Sequence, residues 1–156
     1  MFTLRKYRPA DFPRLLEIDH ACFVAGIAYS EDELCYFLSM PSAIALVGVD
    51  AGARAAVIEG FIVADCFRQP RTSRPMGRII TIDVAPQAQH SGLGTLLLKK
   101  AETALSEAGS DSVLLEVAVD NDPALRFYKK HGYSVLKTLP RYYLDSIDGL
   151  LMGKKL

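Results

Sequence analysis

The sequence predicts an α/β fold of mixed (α+β) type in one domain, residues 1–156, with a central twisted mixed sheet of about seven strands flanked by about four helices. Three observations carry this expectation. The chain has 156 residues, half of them hydrophobic, enough to bury one core without a disulfide or metal. Strand-like runs are interleaved with segments whose apolar residues recur at helical spacing. No repeat, linker or low-complexity block divides the chain.

Residues 2–7 alternate in strand fashion. Asp11 is placed to cap a helix with Pro13 in its first turn, and Leu15, Leu16, Ile18, Asp19 and Cys22 continue the helical pattern. Ser30, followed three residues later by Glu33, reads as a capping box that opens a second short helix toward Met40. Three strand runs follow, 43–49, 55–65 and 78–84, the first two joined by the turn Asp50-Ala51-Gly52. Residues 92–108 form the clearest helix: Leu93, Leu97, Ala101, Ala104, Leu105 and Ala108 share one face, and Gly109 is the stop. A strand at 112–119, a helix at 121–131 ended by Gly132, and strands at 133–144 and about 150–156 complete the chain.

Eighteen Lys and Arg balance eighteen Asp and Glu. This speaks against a protein that coats nucleic acid or an anionic membrane, and leaves room for a small anionic ligand. Cys22, Cys35 and Cys66 are odd in number and do not cluster with His20, His90 or His131. Buried free thiols in a reducing compartment, and no metal site, are therefore expected. The N-terminus lacks a signal-peptide pattern, and the most apolar stretch, 43–64, is cut by Asp50, Arg54 and Glu59. A cytoplasmic location without a membrane span is the expectation. Arg68, Arg71, Arg74 and Arg78 lie close together with Pro70 and Pro75 and no acid between them. They read as a solvated hairpin tip or as a basic contact for a partner.

The run from Thr81 to Thr95 links a strand to the longest helix. Gly92 and Gly94 let a ligand approach the backbone closely, and the first helical amides with the helix dipole make an anion site. A P-loop is excluded because the turn has no lysine before Lys99, and the dinucleotide fingerprint lacks its third glycine, Leu97 standing there. Too little chain follows Glu116 for the rest of a doubly wound sheet. The pattern that remains, Gln89-x-x-Gly92-x-Gly94, resembles the pyrophosphate-binding motif of the Gcn5-related N-acetyltransferases (GNAT). The resemblance continues in Leu114-Leu115-Glu116-Val117 and in Asn121-x-x-Ala124-x-x-Phe127-Tyr128-x-x-x-Gly132-Tyr133, and it covers nearly the whole chain. Within the family the chain looks most like the ribosomal-protein alanine N-acetyltransferases, in the spacing of Glu116 and Tyr128 and in Arg141-Tyr142-Tyr143, Asp148-Gly149 and Met152. The Trp such proteins often carry before the second helix is replaced by Ala28-Tyr29-Ser30.

The resemblance implies the GNAT fold and transfer of an acetyl group from acetyl-CoA to an amine, in the first place a protein N-terminal α-amine. A small-amine or lysine acetyltransferase on the same fold, or a non-catalytic acyl-CoA-binding module, are the alternatives. It implies that Ile82, Asp83 and Val84 run along the pantetheine arm, with the Val84 amide on the thioester carbonyl. Gln89, His90, Ser91, Gly92, Leu93, Gly94 and Thr95 would surround the pyrophosphate. Asn121 would cap its helix and bind the pantetheine. Glu116 would be the base, directly or through a water, and Tyr128 would protonate the departing thiolate. Tyr142 and Tyr143 would line the acceptor groove. An α-amine, with pKa about 7.7–8.0 against about 10.4 for lysine, is substantially neutral near pH 7, so a modest base suffices.

Overall fold

Strand-forming runs rich in β-branched and aromatic residues make seven strands in one sheet, with helices on both of its faces, in the computed structural model, which describes residues 1–52, 54–71 and 74–156. The elements are β1 (Phe2–Lys6), α1 (Phe12–Cys22), α2 (Glu31–Ser39), β2 (Ala43–Asp50), β3 (Val57–Arg68) and β4 (Pro75–Val84). They continue with α3 (Leu93–Glu107), β5 (Ser112–Ala118), α4 (Asp122–Lys130), β6 (Ser134–Tyr143) and β7 (Ile147–Lys155). The strand order is β1-β2-β3-β4-β5-β7-β6, antiparallel at every junction except β4–β5. The mixed fold expected from the sequence is the one observed. Among the described residues no helix is long and apolar enough to cross a membrane.

The two faces of β3 show how the core divides. Ile62 and Ala64 point to one side, where Leu93, Leu97, Leu98, Ala101 and Leu105 of α3 and Tyr128 of α4 cover them. Phe61 and Val63 point to the other, under Leu15 and Ile18 of α1 and Leu34 of α2. Truncating a fully buried leucine such as Leu15 or Leu97 to alanine costs about 2–5 kcal/mol. The N-terminus of α3 comes down onto the sheet through two glycines. A Cβ on Gly48 would lie 2.4 Å from Leu93 Cδ1, and one on Gly60 would lie 2.9 Å from Leu93 Cδ2. Leu93 is thereby locked, and with it the turn that precedes the helix.

Several local expectations are refined. Asp11 does not cap α1 with its side chain. Its carboxylate accepts from Arg8 N at 2.8 Å and from both terminal nitrogens of Arg5 at 2.7 and 2.9 Å, because a short 3-10 turn at Pro9–Asp11 precedes the helix. The Ser30 box forms in both directions, each bond 3.1 Å. β4 begins at Pro75, so Arg78 lies in a strand and not at the hairpin tip; of that tip, residues 72–73 lie outside the described residues. Of the three free cysteines, Cys22 and Cys66 are half-buried and Cys35 is exposed, contrary to the expectation that all are buried.

Two irregularities mark β4, the middle strand of the seven. β4 and β5 pair only at Gly77–Val113 and Arg78–Leu114, after which the strands part. On its other edge β4 carries a bulge: pairing passes from Ala64–Ile79 to Val63–Thr81, leaving Ile80 as the extra residue and turning the strand.

Candidate active site

The turn before α3 is built to hold an anion. His90 has φ 62° and Gly92 φ 87°, left-handed values that flank Ser91. Such alternation turns successive N–H groups toward one point, a cradle for negative charge at a helix N-terminus. A Cβ on Gly92 would meet nothing within 4 Å, so open space lies before it. At Gly94 a Cβ would touch the Phe127 ring at 3.4 Å, so that glycine serves the approach of α4. Exposed side chains of the turn bond back to its own backbone, Ser91 Oγ donating to Ala88 O and Gln89 Nε2 to Val84 O at 3.1 Å, while Leu93 is fully buried. Thr95 Oγ1 meets His131 Nε2 at 3.1 Å. Burial holds the His131 imidazole below its ordinary range, with Lys130 adding to the effect. From Val84 to Leu98 no side chain is Asp, Glu, Lys or Arg, so the cradle is made of backbone.

The edge of β4 beyond Arg78 continues this surface. Ala85 N–H donates to Glu59 O across to β3, at 2.8 Å. Strand alternation then sends the peptide groups of Ile82 and Val84 toward the side where β5 has turned away. Val84 O is engaged by Gln89 and by the Cys22 thiol at 3.2 Å, both of which pin this end of the strand. The Asp83 side chain does not look to that edge; it is buried on the α1 face, where its Oδ1 accepts from Thr81. Asn121 Oδ1 accepts from Ala124 N at 3.2 Å, the cap expected of it.

On the α1–α2 face, where the strands part, lies a cavity of about 210 Å³. Its walls are the loop residues Gly26, Ile27, Ala28 and Tyr29, Glu33 of α2, Arg78 and Ile80 of β4, Glu116 of β5, and Tyr142, Tyr143 and Leu144. A second cavity of about 450 Å³ adjoins it, sharing Gly26, Ala28, Tyr29 and Glu33 and adding His20, Phe23 and Ser30. Both Glu116 oxygens are 3.3 Å from Arg78 Nη2, and the Arg78 Nε is buried without a hydrogen-bond partner among the described residues. The two tyrosines arrive through irregular backbone. β6 carries extra residues between the Leu139–Gly149 and Tyr143–Ile147 pairs, and Leu144 and Asp145 both have positive φ at the tip. Tyr142 lies flat on Gly149, where a Cβ would come within 3.0 Å of it. Leu144 caps Gly26 across the mouth, its Cδ2 2.5 Å from where a Cβ would stand.

Tyr128 reaches toward the same region from the opposite face. Its side chain is 7% exposed, packed edge-on to Phe127 and Tyr133. Its hydroxyl has no hydrogen-bond partner among the described residues. Burial first, then the proximity of Asp83, Tyr143 and Tyr29, raise its pKa above the ordinary phenol range, so it stands as a protonated donor. The structure thus gathers Glu116, Tyr142 and Tyr143 at one cavity, brings Tyr128 close to Tyr143, and sets 89–95 apart at the head of α3. The sequence reading missed as site residues Tyr29, Asp19 and Arg78, the last read both as the start of a strand and as part of the arginine-rich tip. The signal for Asp19 was present: an acid on the apolar stripe of α1.

This mixed sheet with its split between two central strands is the fold of one family of α/β proteins, and the chain belongs to it: the acetyltransferase (GNAT) family, whose sequence profile matches residues 12–133. Over 91 residues it is 37% identical to an N-alpha-acetyltransferase of Sulfurisphaera tokodaii, a match covering 58% of this chain and 54% of that protein. The chain thus spans about half the length of this curated relative. In structure it is similar to a chain of the NatC complex bound to Gag peptide and CoA, with TM-score 0.87, 22% identity, and 99% and 98% of the two chains covered. It is also similar to the ribosomal-protein-S18-alanine N-acetyltransferase from Escherichia coli, with TM-score 0.83, 20% identity, and 99% and 94% covered.

Proposed function

We propose that residues 1–156, as one GNAT domain, transfer the acetyl group of acetyl-CoA to the α-amine of a protein N-terminus. The observation that carries this reading is the parting of β4 from β5, with a backbone anion cradle at the head of α3 and a carboxylate-bearing cavity on the other face. The 37% identical N-alpha-acetyltransferase supports the choice of acceptor. The turn fits a pyrophosphate, and the free β4 edge fits the amide-bearing pantetheine arm as an added strand would.

In this reading the Val84 N–H polarises the thioester carbonyl. The neutral amine, held in the cavity, attacks that carbonyl; a C–N bond forms and the C–S bond breaks. Glu116 takes the proton lost by nitrogen, directly or through a water, and Tyr128 gives a proton to the departing sulfur. The proton taken and the proton given balance, and exchange with water restores both groups. Tyr142 and Tyr143 form the wall against the acceptor's first residues, and Asn121 hydrogen-bonds the pantetheine. Free Cys22, Cys35 and Cys66 suit a reducing compartment, and we read the protein as cytoplasmic.

The test is a panel of peptides and small amines incubated with acetyl-CoA, with the acetyl group located by mass spectrometry. Modification of peptide α-amines is expected. Modification confined to lysine ε-amines or to free small amines would refute the N-terminal reading.

A further inference from the structure

Two carboxyl groups with no part in the transfer step lie side by side behind the cavity. Asp19 of α1 is fully buried and Asp83 of β4 is 1% exposed. Asp19 Oδ2 accepts from Tyr29 N at 2.8 Å, and Asp83 Oδ1 accepts from the Thr81 hydroxyl at 2.6 Å. As carboxylates, they leave Asp19 Oδ1 and Asp83 Oδ2 buried without a donor among the described residues, although the two side chains are within hydrogen-bonding reach of each other. Two buried acceptors satisfy one another only with a proton between them. Burial, then Asp19, raise Asp83 well above the usual carboxylate range, with Thr81 opposing. The other groups facing the pair are neutral: Cys22 of α1, whose thiol burial pushes up to about 12, Tyr29 of the loop, and Tyr128 of α4.

We propose that Asp19 and Asp83 share one proton and act together as positioning residues, fixing Tyr29, and with it the acceptor wall of the cavity, against β4. The positioning part rests on the acetyl-transfer reading of the site. Tyr29 is where the clasp is felt. Its N–H goes to Asp19, its carbonyl accepts from His20 Nε2 at 2.8 Å, and its hydroxyl donates to Ile80 O at 3.2 Å. Consecutive residues of α1 therefore grip both polar groups of one loop residue, while its ring packs edge-on to Phe37 at 5.2 Å. On the strand side, Asp83 directly precedes Val84, the residue assigned to the thioester carbonyl. Loss of the proton would leave two like charges in an apolar setting and push α1 from β4.

Asp83→Asn replaces the shared proton with an amide N–H that does not titrate. The native pair keeps a proton that the unfolded chain releases above about pH 4, so wild-type stability falls with rising pH relative to this variant. Denaturant unfolding from pH 5 to pH 7 should show the folding constant of Asp83→Asn gaining up to about tenfold per pH unit over wild type. Parallel pH dependences would overturn the shared proton, whatever the protein acetylates. Positioning is read separately: Asp19→Ala should raise KM for an acceptor peptide about tenfold, the scale of a lost buried hydrogen bond, and change the calorimetric Kd for acetyl-CoA less than about twofold. At pH 7 Asp83→Asn, whose amide still bridges to Asp19, should raise KM less than Asp19→Ala does. Should Asp19→Ala not fold, Tyr29→Phe, which loses only the hydroxyl bond to Ile80 O, should raise KM for the acceptor peptide while the Kd for acetyl-CoA stays within about twofold. An unchanged KM in the variant measured would overturn the positioning role.

Discussion

Glu116 and Tyr128 approach the parting of the sheet from opposite faces, and in the proposed reaction they take opposite tasks. Glu116 is an accepting group, facing a guanidinium at 3.3 Å, an ion pair too open to matter much for stability, at most about 1 kcal/mol. Tyr128 is a donating group, kept protonated by burial. Replacing Glu116 with Gln should therefore lower kcat/KM by about 10²–10⁴, the usual worth of a general base, and leave the unfolding midpoint near wild type. Tyr128→Phe should slow turnover while acetyl-CoA binds as before by calorimetry; unchanged turnover would remove its hydroxyl from the mechanism. Gly92 belongs to the same scale. With φ 87° and open space before it, Gly92→Ala brings strain of about 1–3 kcal/mol and a methyl group into the anion cradle. Its affinity for acetyl-CoA should drop by more than its ligand-free midpoint would suggest.

Elements were more legible than the contacts between them. The helical stripe of α3, the Ser30 box, the Asn121 cap and the glycine turn all depend on neighbours within a few residues, and each is present as read. The glycine turn and the Glu116–Tyr128 spacing carried most of the candidate site for the same reason. Arg78–Glu116 and Asp19–Asp83 join residues 38 and 64 positions apart, and no local pattern encodes such pairs. The Ile80 bulge was hidden as well, because a one-residue slip in β4 is decided by its partner strand. Asp11 failed as a helix cap because Arg5, on β1, competes for its carboxylate with two short bonds. That competition makes a prediction for the β1–α1 junction. The Arg5 bond holds Asp11 below the ordinary carboxylate range, so its contribution to stability is full above about pH 4 and is lost as the pH falls through the folded value. Asp11→Asn should thus lower the thermal midpoint at pH 7 and converge with wild type in acid.

At the scale of the whole molecule, net neutrality acquires a local meaning. The chain balances eighteen cations with eighteen anions, yet the segment facing the expected pyrophosphate contains neither. In the proposed reading backbone amides and a helix dipole do the holding there, so few counterions would be displaced on binding. Acetyl-CoA should accordingly raise the melting temperature, and its Kd should weaken only slightly between low and moderate salt. A steep salt dependence would instead bring in Lys99, Lys129 or Lys130.

The parting of β4 from β5 also makes the sheet a wedge. One leaf, β1 to β4, carries the strand edge for the thioester; the other, β5 with β7 and β6, carries Glu116 and the two tyrosines. Two rungs at Gly77 and Arg78 form the spine between them. In the proposed reaction the thioester lies on one leaf and the base, Glu116, on the other, and the angle of the wedge sets how far apart they stand. A substrate strand laid into the gap acts on that angle directly. The ligand that supplies the acetyl group is then also the spacer that gauges the distance across which it is handed over.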